Sequence, residues 1–323
     1  MSKTRIHTLI IRAGAWLLLT ALQPAYAHGW IFPQESPWTA WYITPEVTVP
    51  TFLIIGLYIT GLRRRHHASR PISLGRRICF FTGMIGVWLA LQSPLDPMSD
   101  RLFLAHQIEH LMLYMVGPIL IALSAPVAPL LRGFPPWARQ GIVKPVIRNP
   151  VVRRVYAFLI NPAVAILLFL ASMFFWQIPK YQDLALRDDT LHDVMHISML
   201  IAGLFFWWLI LDPRRYGMRA SNGLKLSLIW IVMMATMVLG AYLTFKQTEL
   251  YPAYDAWGRL WGIAPLTDEE WGGLIIWIPG SLLCVIPALV VVRRLLLLDK
   301  EKHRAAASRR SRFPVRADGV VRS

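Results

Sequence analysis

The sequence predicts an all-α membrane protein: a polytopic bundle of seven transmembrane helices behind a signal peptide. Three observations predict it. Apolar runs long enough to cross a bilayer, about 20 residues each, recur along the 323-residue chain. Hydrophobic residues make up 55% of the chain, 14 Trp among them, which leaves no room for a large soluble domain. The basic residues collect between alternate apolar runs, as the positive-inside rule requires of loops on one side of a membrane.

Taken in order, residues 1–27 combine Lys3, Arg5 and Arg12 with an apolar run and the small-x-small end Ala25-Tyr26-Ala27, the pattern of a secretory signal cleaved after Ala27. An uncleaved first membrane helix is the alternative. Cleavage would leave His28 as the new N-terminus, whose amine and imidazole form a chelate suited to copper. An incidental His in a leader is the plain alternative. Residues 28–45 hold Trp30, Trp38, Trp41 and three prolines without Lys or Arg, as expected of an outer-surface segment at headgroup level.

Seven spans follow in residues 46–298, at about 46–62, 76–93, 102–124, 155–176, 191–211, 224–245 and 271–298. The first, third and fifth connections and the tail carry 26 of the 34 Lys and Arg, the alternate connections five and the leader three. That asymmetry puts the mature N-terminus outside and the C-terminus in the cytoplasm. Residues 299–323 read as a basic, disordered cytoplasmic tail, free in solvent or against anionic lipid.

The formal net charge of +16 is accounted for by these loops, so no nucleic-acid partner is expected. Cys79 and Cys284 lie in separate apolar runs with no Cys-x-x-Cys motif, which argues against a disulfide framework or a thiolate copper shuttle.

Chemistry concentrates in two of the spans. The third carries His106 and His110, the fifth His192 and His196. Ionisable groups in a membrane segment are costly and usually face a protein interior or polar cavity. Residues four apart stand one turn above each other, so each pair offers two imidazoles from one face, and two facing helices can surround a metal with four nitrogens. Met199 adds a thioether on the face of His196, and nitrogen with thioether suits copper. Glu109 and Asp193, each beside a His, are candidate acceptors that fix an imidazole tautomer. Gly117 and Gly203 lie seven residues beyond a His, where small residues let helices approach. The plain alternatives are core packing for Met199, wet helix ends for the two acids and structural hydrogen bonds for the histidines.

Three functions fit these residues. One is copper handling for another protein. The second is a b-type haem electron carrier ligated by two of the histidines. The third is an intramembrane metallopeptidase, because His106-Gln107-Ile108-Glu109-His110 matches the inverted zinc pattern H-x-x-E-H with Glu109 as base.

The runs HQIEHLMLYMVGPILIALSAP, WQIPKYQDLALRDDTLHDVMHISMLIAGLFFWWLI and LYPAYDAWGRLWGIAPLTDEEWGGLIIWIPGSL occur in an order that resembles the CtaG family of cytochrome c oxidase assembly factors, over roughly residues 46–298. The resemblance implies a seven-helix protein of the bacterial inner membrane, needed for making active haem-copper oxidase and supporting copper insertion. It implies oxidase subunits as partners and no catalytic turnover. Matching the family's histidine motifs are His106, His110, His192 and His196, and Asp268 matches its acidic position. His28 and the tail lie outside the matched region. The resulting expectation is a copper ion held transiently at the outer ends of the third and fifth spans, with oligomeric state open.

Overall fold

The computed structural model describes residues 36–64, 71–212 and 220–312. The expected signal peptide, His28, His66 and His67 lie outside them. Among the described residues the chain is helical, without strands.

Helix α1 (Pro45–Arg63) and helix α2 (Leu74–Gln92) form the first hairpin. It is tied at one end by Gln92, whose Oε1 accepts from the Thr44 N–H at 2.6 Å, and by Trp88, whose indole N–H donates to Thr48 Oγ1 at 3.1 Å. The short α3 (Leu95–Ser99) leads into α4 (Phe103–Ser124). α4 is the centre of the bundle: 67% of its most apolar window is buried, against 17% for α1. Helix α5 (Val127–Gly133) packs back on α1. After a helical stretch of residues 136–148, π-helical at Arg139–Val143, come α6 (Pro150–Leu159) and α7 (Pro162–Phe175). Next are α8 (Pro179–Arg187), α9 (Asp189–Leu211) and α10 (Asn222–Phe245). The short α11 (Ala253–Trp257), α12 (Pro265–Leu283) and α13 (Val285–Arg312) complete the described chain. α4 touches α2, α9 and α12, while α10 packs along α12 and α7 along α9.

Among the described residues six helical stretches are long and apolar enough to cross a membrane, and the protein is membrane-embedded. The expected fourth span, 155–176, is not one straight helix. It is a pair, α6 and α7, bent by 65°. One Asn-Pro step, Asn161-Pro162, makes the break, and another, Asn149-Pro150, opens α6. Asn149 and Asn161 each accept a hydrogen bond from the N–H two residues on, at 2.8 and 3.0 Å, and the proline after each occupies the first helical position, where its missing N–H is not needed. The last span also divides, at Cys284, because Pro287 has no N–H to offer the Leu283 carbonyl.

The tail differs from expectation as well. α13 runs on to Arg312, so residues 299–312 are helical rather than disordered. Their alanine, lysine and glutamate content favours a helix, and Asp299 meets His303 one turn on at 3.4 Å. Residues 313–323 lie outside the described residues.

α9 reaches α4 closely because residue 203 is glycine. A Cβ there would lie 2.6 Å from the Tyr114 carbonyl oxygen. Gly117, by contrast, sits against Val87 of α2 rather than against α9. α4 widens into a π-helical turn at Met112–Val116, beginning two residues after His110, and the Tyr114 carbonyl accepts from the Trp207 indole at 3.0 Å. Such turns are frequent at functional sites.

Candidate metal centre

His106 and His110 lie in the first two turns of α4, and His192 and His196 in the first two turns of α9. With the helices in contact, the four imidazoles form one buried cluster. Ring centroids are 4.2 Å apart within each helix. Across the helices they are 5.2 Å apart for His106 and His192, 5.8 Å for His106 and His196, and 5.6 Å for His110 and His196. His106, His110 and His196 can each present a nitrogen within 4.8 Å of the other two. All four rings are at most 5% exposed.

Both ring nitrogens of His110 and both carboxylate oxygens of Glu109 are buried without a hydrogen-bond partner among the described residues. Glu109 is fully buried, and its Oε1 approaches His196 Nδ1 at 3.7 Å. Buried polar atoms are normally satisfied, so an arrangement with this many open lone pairs suits a bound cation or ordered water. Met199 is buried one turn below His196 on the same face of α9, which carries residues 192, 196, 199 and 203.

The other two acids named from sequence sit elsewhere. Asp193 is exposed, on the outward side of α9, because one residue turns the helix by about 100° away from His192. Asp268 is fully buried at the start of α12 and engages backbone. Its Oδ2 accepts from the Phe103 N–H at 2.8 Å and its Oδ1 from the Leu104 N–H at 2.9 Å, while Arg259 donates to Oδ2 at 2.5 Å. These N–H groups open α4 and have no partner within the helix, so Asp268 caps from outside the helix that carries His106 and His110. Its effect on the histidines passes through their helix.

The structure adds residues that sequence reasoning missed. Tyr254 Oη lies 2.8 Å from His106 Nδ1 and accepts from the Gln182 amide at 3.0 Å. When His106 Nδ1 carries the proton and donates to Tyr254, Nε2 keeps its lone pair for a metal. The segment that leads into Tyr254 is held by the acid next to Asp268. Glu269 accepts from the N–H groups of Leu250 and Tyr251, at 3.0 and 2.9 Å, and pairs with the Lys246 ammonium. Arg259 joins the set by donating to Asp255 at 2.7 Å and Glu249 at 3.1 Å. Residues 246–262 are thereby bound over the histidine end of the bundle. The only signal in the sequence was a pair of hydroxyl-bearing aromatics, Tyr251 and Tyr254, in a connection near an acidic run. Beside the site, burial first and the Glu109 carboxylate second push the Asp96 carboxyl well above its ordinary range.

Chemically, four imidazoles and a carboxylate buried together are a donor set for a transition metal, with imidazole suited to copper or zinc. A haem between His106 and His196 would have to insert its macrocycle where His110 and His192 stand. A peptide would reach the buried Glu109 only if the helices parted.

A family model described as cytochrome c oxidase caa3 assembly factor matches residues 56–297. An uncharacterised protein of Mycobacterium bovis is 29% identical over 260 residues, covering 78% of this chain and 38% of its own length. Another, of Mycobacterium leprae, is 26% identical over 269 residues, covering 79% of this chain and 39% of its own. The chain therefore spans about two fifths of the length of the curated relatives it matches. No solved structure matches it.

Proposed function

Because the chain belongs to the family of cytochrome c oxidase caa3 assembly factors, we propose that it supports maturation of a haem-copper oxidase by holding copper in the α4–α9 histidine cluster and releasing it to an oxidase subunit. The observation that carries this reading is that His106, His110 and His196, all buried, can bring ligand nitrogens within 4.8 Å of one another. Imidazoles bind copper without the thiolate cage that would resist release, and Met199 supplies a soft neighbour below them. The ion is cargo, and the protein performs no turnover on it. In this reading the bundle sits in a bacterial inner membrane, and the charge asymmetry favours an orientation with the cluster at the outer end and the basic loops and C-terminus in the cytoplasm.

The test uses the full chain purified in detergent and loaded anaerobically with copper. Elemental analysis is expected to find copper in the wild type and little in His110→Ala/His196→Ala. In cells the same variant is expected to lower oxidase activity at unchanged abundance of the protein. A wild type that takes up no copper, or a double variant that supports full oxidase activity, overturns the proposal. A Soret band or bound zinc in the purified protein would transfer the cluster to haem or peptidase chemistry.

A further inference from the structure

Residues 144–158 have no place in the bundle. Every one of them is exposed, and α6 buries none of its ten residues. Yet the segment is rich in large apolar side chains, from Val152 at 41% exposed to Phe158 at 62%. On a helical wheel Val151, Val152, Val155, Tyr156, Phe158 and Leu159 share one face of α6, and Arg153 and Arg154 flank the opposite one. The capped Asn-Pro steps at its two ends set α6 apart from the helical stretch before it and bend it by 65° from α7. A helix so inclined to the neighbouring span lies across the bundle, where an apolar face and a basic face part at a membrane surface.

The charge on this segment identifies what it meets. Arg139, Lys144, Arg148, Arg153 and Arg154 fall within sixteen residues, and no Asp or Glu occurs anywhere from His110 to Gln182. No acidic side chain of the segment or of the adjoining α7 neutralises them. We propose that residues 139–159 form an in-plane elbow that buries the apolar face of α6 at the acyl boundary of the membrane and binds anionic phospholipid headgroups through Arg148, Arg153 and Arg154. Guanidinium groups are well matched to phosphate, since their forked N–H groups bond two oxygens at once. Basic residues on an amphipathic helix at a bilayer surface raise affinity for anionic lipid.

The test uses the full chain in nanodiscs of phosphatidylcholine with or without phosphatidylglycerol. Val155→Cys, labelled with an environment-sensitive fluorophore in a Cys79→Ala/Cys284→Ala background, is expected to be quenched more by lipids carrying a nitroxide near the headgroup than by lipids carrying it at the chain end. It is expected to be protected from aqueous iodide. Native mass spectrometry of the wild type is expected to retain phosphatidylglycerol several-fold over phosphatidylcholine, a preference lost in Arg148→Gln/Arg153→Gln/Arg154→Gln and kept when the same arginines become lysine. Quenching by iodide would put the helix in water. Protection from both iodide and nitroxide lipid would put it against a protein. Either result overturns the proposal, as does an unchanged lipid preference in the glutamine variant.

Discussion

Tyr254 bears on the cluster through one hydrogen-bonding atom. Its hydroxyl lies 2.8 Å from His106 Nδ1 and is itself anchored by Gln182, so it can hold the ring in the tautomer that leaves Nε2 for a metal. Tyr254→Phe keeps the ring in its buried place and removes the oxygen alone. It is expected to weaken copper binding by about 10- to 100-fold, the range found when such outer partners of metal-bound histidines are lost. Competition with a chromophoric copper chelator measures it, and an unchanged affinity would leave Tyr254 a packing residue. Asp268 is a contrasting case. Its carboxylate binds the two N–H groups that open α4, so its substitution loosens a helix end and moves two histidines together.

Between elements, the contact of α4 with α9 is what turns two weak motifs into one cluster. Gly203 permits it, since any side chain there starts 2.6 Å from the Tyr114 carbonyl oxygen. Gly203→Val is expected to cost about 1–3 kcal/mol, as overpacking of a tight site does. By pushing the helices apart it should also lower copper retention. Gly56→Ala, where an added Cβ meets nothing within 4 Å, is the matching control and is expected to be neutral or slightly stabilising. Thermal unfolding in detergent, followed by metal analysis, reads both effects, and a Gly203→Val protein as stable as wild type would contradict the close approach.

At the scale of the whole molecule, the described basic residues Arg76, Lys225 and Arg294 gather on one side of the bundle and the histidine cluster with residues 246–262 on the other. Trp38 from the segment before α1 stacks on Trp261 at 6.2 Å, so that segment meets the same end. With the basic side cytoplasmic, alkaline phosphatase fused after Arg187 is expected to be active, and the same enzyme fused after Ser221 inactive, since it folds only outside the cytoplasm. The reverse pattern would invert the protein and put the cluster on the cytoplasmic side.

The sequence by itself determined the all-helical membrane fold, six of the spans to within a few residues except for the early start of the last, and the helix face on which each histidine pair stands. These follow from local causes: apolar length, charge asymmetry and the 3.6-residue period. It also held the two Asn-Pro steps, although a run as apolar as residues 155–176 reads as one straight span until the caps are seen to bend it. Only the tertiary structure decided that α4 lies against α9, that Asp193 faces outward, that Asp268 caps a helix, and that Tyr254 and Gln182 reach His106. Each depends on residues distant along the chain meeting in space, and no periodicity within one helix specifies which helix it will touch.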